Sequence, residues 1–372
     1  MSEHFQFIVI GGGAAGFFAA VTAAANNPKA KVLLLEKSAV PLAKVRVSGG
    51  GRCNVTHACF DARQLAQNYP RGHKELIGPF TRFQPRDTIE WFSSRGVQLK
   101  VEGDGRMFPV TDSSQTIIDC LIREAGKLKV EVRYRQTIQQ IKNLNSHFIL
   151  TNTTGEEFSC DALLLATGSS PQGHQFAKAF GHTIQEPVPS LFTFNVPSSP
   201  LLELSGISVK SATVSIVDSP FKQTGPLLLT HWGFSGPGVL KLSAWAARLL
   251  HERNYKTEIE IDWLPEMSYQ EVQKLTQNPV EIPKNLWKRL KDQQENLKKC
   301  VYKVDGKTTY KEEFVTCGGV TLREINFKTM ESRLCPRLYF AGEVLDIDAI
   351  TGGFNFQNAW TTGWIVGTSL PG

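Results

Sequence analysis

The sequence predicts an α/β fold whose parallel sheet is interrupted by an inserted β-rich segment. Residues 5–10 are apolar, residues 14–25 are rich in alanine and residues 31–36 are again largely apolar, which is the pattern of strand, helix and strand. Such a unit joins two parallel strands through a right-handed crossover. Residues 161–167 are almost entirely apolar, which is typical of a strand covered on both faces in the centre of a parallel sheet.

The remaining elements follow from hydrophobic periodicity and turn residues. Asn26-Asn27-Pro28 ends the first helix, because proline cannot continue it. Strands are predicted at residues 130–135, 138–141, 148–151, 158–160, 212–217, 258–261 and 338–341, and helices at 284–299 and 356–370.

The composition changes near residue 186, where Pro, Ser and Thr become frequent. We therefore expect a discontinuous first domain of residues 1–185 plus 317–372. Residues 186–316 are expected to form an inserted substrate-cap domain that is β-rich, with a short helical segment at about 268–300.

Composition and charge exclude several classes of protein. The 372 residues are 41% hydrophobic and 20% charged, with a formal net charge of +6, so we expect a soluble globular protein with a solvated basic surface and no nucleic-acid partner. The seven cysteines form no CxxC pair, so neither a disulfide framework nor a metal site is expected. No apolar run is long enough for a membrane span and no secretory leader is evident, so a cytoplasmic protein is expected.

The first motif that carries chemistry is Gly11-x-Gly13-x-x-Gly16, placed between the first strand and the first helix. Glycines at these positions permit a tight turn and close approach of a pyrophosphate to the helix N-terminus. Glu36 ends the second strand, where a carboxylate accepts hydrogen bonds from ribose hydroxyls. The motif therefore predicts FAD or NAD rather than NADP. A glycine-rich turn without a ligand is the alternative.

A second glycine run, Gly49-Gly50-Gly51, lies between Ser48 and Arg52. Backbone N–H groups beside a cation suit a pyrophosphate and the edge of a flavin ring, and a flexible surface loop is the alternative. A third cluster, Gly342 to Gly353, lies near the other end of the chain. The helix after it would direct its positive N-terminus at the flavin pyrimidine.

These motifs resemble the BaiN-like family of FAD-dependent flavoproteins, which includes NAD(P)/FAD-dependent oxidoreductases and aminoacetone oxidases. The likeness extends, in order, over residues 44–56, 106–111, 166–168, 229–237, 314–320, 329–332 and 341–360. The resemblance implies a Rossmann-like FAD-binding domain of the two-dinucleotide-binding type. The residues expected to hold FAD are Gly11, Gly13, Ala14, Ala15, Gly16, Glu36, Lys37, Arg46, Ser48, Gly50, Gly51, Arg52, Cys53, Asn54, Ile138, Ala166, Thr167, Gly168, Gly342, Glu343, Asp346, Gly352, Gly353, Phe354, Asn355 and Gln357.

The chain departs from this family in the loop after Gly168, which is shorter and less glycine-rich, and in the truncated helical part of the insert. Two residues are candidates for catalysis. His231 is a candidate proton donor or substrate ligand, because imidazole titrates near neutral pH, and a structural loop histidine is the alternative. Arg106 is a candidate ligand for a substrate carboxylate, and a salt bridge between domains is the alternative.

The function predicted is that of an FAD-dependent oxidoreductase that moves a hydride between a small organic substrate and flavin N5. NAD(P)H is the expected transient electron donor, since residues 186–330 hold no second strand-GxGxxG-helix unit. An amine oxidase that uses oxygen is the first alternative. A nucleic-acid-associated, tRNA-modifying flavoprotein would require a contiguous basic face, and a flavin-holding sensor would require a ring sealed from substrate.

Overall fold

The computed structural model describes residues 3–293, 295–308 and 315–370. It divides into unit 1, residues 1–187 with 318–372, and unit 2, residues 188–317. In the described residues the α-helices are α1 (Ala14–Asn26), α2 (Ala43–Val47), α3 (Ala62–Ala66), α4 (His73–Arg82), α5 (Pro85–Ser93), α6 (Ser114–Lys127), α7 (Pro171–Ala179), α8 (Pro237–Trp245), α9 (Ala247–Glu252), α10 (Tyr269–Gln273), α11 (Lys284–Asp292) and α12 (Phe354–Ser369).

The strands, again within the described residues, are β1 (Glu3–Ile10), β2 (Val32–Leu35), β3 (Thr56–His57), β4 (Leu99–Val101), β5 (Arg106–Pro109), β6 (Glu131–Arg133), β7 (Ile138–Asn143), β8 (Phe148–Asn152), β9 (Glu157–Leu165), β10 (Ile184–Ser190), β11 (Thr193–Asn195), β12 (Ser208–Ile216), β13 (Lys222–Thr230), β14 (Gly233–Ser235), β15 (Lys256–Asp262), β16 (Cys300–Asp305), β17 (Lys307–Thr308), β18 (Val315–Val320), β19 (Ile325–Asn326), β20 (Glu331–Ser332) and β21 (Leu338–Phe340).

The predicted parallel sheet is the centre of unit 1. Strands β21, β9, β1, β2 and β6 lie side by side in that order and all pair in parallel. Ile10 lies opposite both Leu35 and Leu165, so the carboxyl ends of the three inner strands meet at one edge. In an open α/β sheet, ligands bind outside that edge. The predicted α/β class with a Rossmann-like sheet is confirmed.

One strand differs from its prediction. Residues 158–160 and 161–167, expected as separate strands, are replaced by the single strand β9, which ends at Leu165. The first half of β9 pairs antiparallel with β8 and the second half pairs in parallel with β21. The change of partner along one strand explains why its sequence pattern changes at Cys160.

The two ends of the chain come together where α1 packs on α12. A Cβ at Gly363 would lie 2.7 Å from the Ala15 carbonyl oxygen, and a Cβ at Gly367 would lie 2.6 Å from Thr22 Cβ. Only glycine permits an approach this close. The first turn of α1 and the last helix are therefore parts of one packed body.

Unit 2 is built on an antiparallel sheet with the order β16-β15-β12-β13-β14-β11-β17. Trp263, Phe234 and Leu242 are buried in its core. The helix predicted over 284–299 is wrong at its end, because α11 stops at Asp292 and Trp263 N–H then donates to the Leu297 carbonyl at 2.9 Å. In the described residues between α11 and β16 the chain forms turns and coil, although the polar pattern suggested a helix.

The connections between the units are β10 and β18, which pair with each other as a two-stranded sheet. The role of unit 2 as a substrate cap stays a prediction. Among the described helices, none combines the length and the apolar character that crossing a bilayer requires.

Candidate functional site

The turn between β1 and α1 uses each glycine of the first motif differently. A Cβ at Gly11, where φ is +112°, would lie 2.4 Å from the Ala166 carbonyl oxygen, and a Cβ at Gly16 would lie 1.9 Å from the Gly11 carbonyl oxygen. A Cβ at Gly13 would meet no atom within 4 Å. Gly11 and Gly16 therefore permit packing, whereas Gly13 leaves open space at the N-terminus of α1, where N–H groups attract an anion.

Glu36 is held at the end of β2 by several hydrogen bonds. Gly12 N–H donates to its Oε2 at 2.7 Å, and Ser38 donates to its Oε1 from both the backbone at 2.7 Å and the hydroxyl at 2.6 Å. The adjacent Lys37 is exposed. The carboxylate thus has a fixed orientation beside the glycine turn, which is the arrangement that a ribose hydroxyl requires.

The second glycine run adopts three successive left-handed conformations. The φ angles of Gly49, Gly50 and Gly51 are +58°, +69° and +84°. A Cβ at Gly50 or Gly51 would meet no atom within 4 Å. The run is therefore a turn with room for a ligand against its backbone, and it is closed by the Cys53 N–H, which donates to the Ser48 carbonyl at 2.9 Å.

The segment before α12 is fixed by contacts from both ends of the chain. With its amide oriented to satisfy both atoms, Asn54 accepts from Gly353 N–H at 3.0 Å and donates to the Thr56 carbonyl at 3.1 Å. The side chain of Asn355 accepts from Ala349 N–H at 3.0 Å and donates to the Ala349 carbonyl at 3.2 Å. The positive end of α12 is therefore held in place beside the 48–56 loop.

Four further residues hold this segment, and sequence reasoning missed all of them. His57 Nδ1 lies 3.1 Å from the Gly352 carbonyl, and Tyr69 donates its hydroxyl to the Phe354 carbonyl at 2.6 Å. The guanidinium of Arg71 donates through Nε and Nη2 to the two oxygens of Asp348, whose side chain is fully buried. We call residues 345–353 with these partners the 345–353 clasp. An available signal was Asp348 itself, a carboxylate inside an apolar run.

Residues 5–369 match the family model described as the HI0933-like protein Rossmann domain. The chain belongs to this family. It is 31% identical over 375 residues to the ribosomal RNA dihydrouridine synthase of Escherichia coli (strain K12), covering 91% of this chain and 92% of that protein. It is 28% identical over 382 residues, with the same coverages, to the 3-dehydro-bile acid delta(4,6)-reductase of Clostridium scindens.

Solved structures show the fold alone. The 3-ketosteroid-delta4-(5alpha)-dehydrogenase of Rhodococcus jostii RHA1 aligns with a TM-score of 0.54 at 14% identity, over 98% of this chain and 97% of that chain. The 3-ketosteroid delta1-dehydrogenase of Sterolibacterium denitrificans aligns with a TM-score of 0.56 at 11% identity, over 99% of both chains.

By its family, the protein is an FAD-dependent oxidoreductase of the HI0933-like group. The expected resemblance to BaiN-like flavoproteins and the expected cofactor are confirmed.

The residues of unit 1 fit FAD in this flavoprotein. The open position at Gly13 gives a cradle that a side chain would fill. At the end of β9, Thr167 Oγ1 is buried and has no hydrogen-bond partner in the described residues. This hydroxyl packs against α7, since a Cβ at Gly173 would lie 1.8 Å from Thr167 Oγ1, so the open glycine positions are what fit the cofactor.

Other predicted FAD ligands lie near these positions. Lys44 Nζ forms an ion pair with Glu343 Oε2, and a Cβ at Gly168 would lie 3.7 Å from the same oxygen. The Ile138 carbonyl accepts from Gln172 Nε2 at 2.6 Å, and its contact with an adenine stays a prediction. Asp346 N–H donates to the Val320 carbonyl at 3.0 Å.

Gln357 is placed inside the fold of the flavoprotein and is fully buried. Its Oε1 accepts from Thr56 Oγ1 at 2.6 Å and from Thr88 Oγ1 at 2.9 Å, and its Nε2 donates to Thr361 at 3.0 Å. The amide therefore ties α12 to β3 and α5. Its predicted contact with FAD stays untested.

The arginines of the second motif take part in polar contacts within unit 1. Arg52 lies over the Phe108 ring, with its guanidinium carbon 4.0 Å from the centroid, and Nη1 donates to Glu102 at 2.6 Å. These contacts raise the pKa of Arg52, chiefly through the Glu102 hydrogen bond. Arg106 donates to Asp104 at 2.7 Å and to the other Glu102 oxygen at 3.1 Å.

The guanidinium of Arg106 is thus already neutralised by two carboxylates. A substrate carboxylate would have to replace one of them. Arg46 donates to Gln115 Oε1 at 2.7 Å, at the N-terminal turn of α6.

Cys53 follows Arg52 in the chain. It is fully buried and has a left-handed backbone conformation with φ of +62°. Burial raises the pKa of its thiol to about 12. At neutral pH only about one thiol in 10⁵ would be a thiolate. A redox role for Cys53 would need that minor form.

We expect iodoacetamide at pH 8 to leave Cys53 unmodified in the native protein, because neither access nor thiolate is available. Peptide mass spectrometry after a timed quench measures this directly, and the half-buried Cys59 is the internal comparison. After unfolding in guanidinium, all seven cysteines should react. Alkylation of Cys53 in the folded state at the rate of Cys59 would contradict the burial argument.

His231 belongs to unit 2 of the flavoprotein and is exposed in the turn between β13 and β14. Thr230 Oγ1 accepts from Gly233 N–H at 3.1 Å and fixes this turn. A pocket of about 290 Å³ opens beside the imidazole; its lining residues are Asn195, Pro197, Leu202, His231, Trp232 and Asp305. The structure therefore places His231 at a cavity wall of unit 2, whereas the glycine motifs belong to unit 1.

Proposed function

We propose that this flavoprotein is a reductase that saturates a carbon–carbon double bond conjugated to a carbonyl group, with NAD(P)H as the electron donor. The proposal rests on the kind of reaction for which two relatives of the chain are named. Dihydrouridine is uridine with one ring double bond saturated, and a delta(4,6)-reductase of a 3-dehydro-bile acid removes double bonds conjugated to a ketone. Both reactions add two hydrogens across the same kind of bond.

The glycine turn and Glu36 are proposed to hold the adenosine diphosphate half of the cofactor. The N-terminus of α1 presents N–H groups at the open Gly13 position, and no side chain caps it. Glu36 is oriented by Gly12 and Ser38 toward the ribose side. FAD, when bound, supplies the hydride exchange of the reaction.

The N-terminus of α12, which follows the 345–353 clasp, is proposed to stabilise negative charge. α12 has 16 residues and begins at Phe354 after Gly353, which is left-handed with φ of +91°. A helix N-terminus carries roughly half a positive charge, and no acidic residue lies in the first turn of α12. A group that gains electron density beside this terminus is therefore stabilised by a fixed dipole.

Saturating the bond also requires a proton at the second carbon. His231 is proposed as the donor from its imidazole, because this side chain is exposed at a cavity wall and an imidazole can act as a general acid. Every assigned strand pair of the unit 2 sheet in the described residues is antiparallel. This agrees with a nicotinamide that binds transiently, rather than in a parallel dinucleotide-binding domain of its own.

The experiment is anaerobic stopped-flow of the FAD-loaded protein with NADH and with NADPH. We expect one of them to bleach the flavin band at about 450 nm. A conjugated enone should then restore the band without oxygen. The saturated ketone of the same skeleton is the matched control and should restore nothing. If only air restores the band, the oxidase alternative gains and the reductase proposal fails.

A second candidate concerns the molecule that carries the double bond. The ribosomal RNA dihydrouridine synthases of Escherichia coli and Haemophilus influenzae are 31% and 29% identical to the chain, which favours a uridine within ribosomal RNA. Reduction of a uridine-containing ribosomal RNA fragment, detected as a gain of two hydrogens in one nucleotide, would support it. A product from free enones together with none from RNA would contradict it.

A further inference from the structure

One segment of unit 2 carries a high density of positive charge. Residues 284–307 contain eight Lys and Arg and three Asp and Glu, a net charge of +5, which residues 29–52 of unit 1 also reach. A dispersed distribution would place less than one net charge in so short a segment. Charge gathered on one part of a surface is what a polyanionic partner recognises.

Several of these cations are used by the fold itself. Lys298 donates to the Leu264 carbonyl at 2.8 Å and to the Met267 carbonyl at 2.7 Å. Arg289 pairs with Glu203 at 2.5 Å, and Lys299 pairs with Glu260 at 3.3 Å. The Lys307 ammonium lies 4.9 Å from the centroid of a tyrosine ring. These four cations are explained by contacts within unit 2.

The remaining cations on α11 form a line, which we call the lysine stripe: Lys284, Lys288 and Lys291. At positions i, i+4 and i+7 they share one face of the helix, within an arc of about 60° and a length of about 10 Å. All three are exposed, and among the described residues none of them lies in an ion pair. The opposite face buries Leu286 and Leu290 in the core.

The stripe is partly ordered before any partner binds. The Lys291 ammonium lies 4.8 Å from the centroid of the Trp287 ring, a cation–π distance. Trp287 packs against the core of unit 2. Glu281 and Asp292 lie just beyond the two ends of the stripe, so the cationic surface has a defined length.

We propose that the lysine stripe contacts the phosphate backbone of an RNA substrate; this rests on the RNA candidate of the proposed function. A length of about 10 Å spans about three phosphates at roughly 3.4 Å per nucleotide of a stacked strand. An anionic membrane is the weaker match, because α11 turns its leucines inward and offers no apolar face to lipid.

The test compares the FAD-loaded wild type with the variant Lys284→Gln/Lys288→Gln/Lys291→Gln. The control is Lys210→Gln/Lys222→Gln/Lys274→Gln, which removes the same charge from exposed positions of the same unit. Fluorescence anisotropy with a labelled, uridine-containing RNA hairpin is measured over a series of KCl concentrations. The flavin spectrum and reduction of a small enone report that each variant is folded and active.

We expect the stripe variant to reduce the magnitude of the slope of log Kobs against log salt by about 2, since each phosphate contact contributes about 0.7–0.9. RNA binding at low salt should weaken at least tenfold. The control should change the slope by less than about 1.

Equal slopes for the wild type and the stripe variant would overturn the proposed role of the stripe while leaving RNA reduction standing. If the wild type neither binds nor reduces RNA, the RNA candidate falls and the surface with it. Binding to phosphatidylserine vesicles that depends on the stripe, with unchanged RNA binding, would also overturn the proposal.

Discussion

Replacement of Gly13 by Val is expected to weaken FAD binding at least 100-fold while the apoprotein stays folded. The backbone at Gly13 is extended, with φ of −90° and ψ of −170°, which any residue adopts. A Cβ there meets no protein atom within 4 Å, so the added side chain occupies only the space proposed for the pyrophosphate. A 100-fold loss corresponds to about 2.7 kcal/mol of binding free energy.

The matched comparison is Ala at Gly13 and Ala at Gly16. At Gly16 the new Cβ would lie 1.9 Å from the Gly11 carbonyl oxygen, so the strand and helix must separate, at a cost of at least about 3 kcal/mol of unfolding free energy. Ala at Gly13 should change that free energy by less than about 0.5 kcal/mol. Urea unfolding of the apoprotein and flavin fluorescence titration separate the two effects. FAD affinity that is unchanged in Gly13→Val would contradict the proposed role of this turn.

Replacement of Asp348 by Asn is expected to cost about 3–5 kcal/mol of unfolding free energy, because it leaves the guanidinium of Arg71 without its buried counterion. The Asp348 side chain is fully buried and that of Arg71 is 15% exposed. The clasp carries Gly352 and Gly353, so the variant should also bind FAD more weakly. Urea unfolding followed by tryptophan fluorescence, and flavin release on the same samples, measure both losses.

The control for this prediction is Glu203→Gln. Glu203 pairs with Arg289, but its side chain is 74% exposed, and exposed pairs contribute about 1 kcal/mol or less. A double replacement, Arg71→Met with Asp348→Leu, should recover part of the stability, since it removes both buried charges. A stability of Asp348→Asn equal to that of the wild type would show that the clasp does not depend on this ion pair.

The parts of the fold that local sequence determines were predicted closely. The run of residues 5–36 gave β1, α1 and β2 within a few residues, because apolar periodicity and glycine at fixed spacing act over short distances. The final helix, predicted at 356–370, is Phe354–Ser369. FAD followed from Gly11, Gly13, Gly16 and Glu36 together with the resemblance of the later motifs.

The parts that depend on distant pairing could not be predicted in this way. β9 changes partner along its length, and after α11 ends at Asp292 the Leu297 carbonyl accepts from the distant Trp263 N–H. Arg71 and Asp348 are 277 residues apart, so no local pattern connects them. The 345–353 clasp is therefore a product of tertiary structure, although its glycines belong to a cluster that the sequence shows.

The measurement that tests the central claim most directly is product analysis under argon. FAD-loaded protein is incubated with NADPH or NADH and a conjugated enone, and in parallel with a uridine-containing ribosomal RNA fragment, and the products are analysed by mass spectrometry. The account predicts that at least one substrate gains two hydrogen atoms at its double bond, in proportion to the nicotinamide oxidised. Nicotinamide oxidation only when air is admitted, with both substrates recovered unchanged, would contradict it.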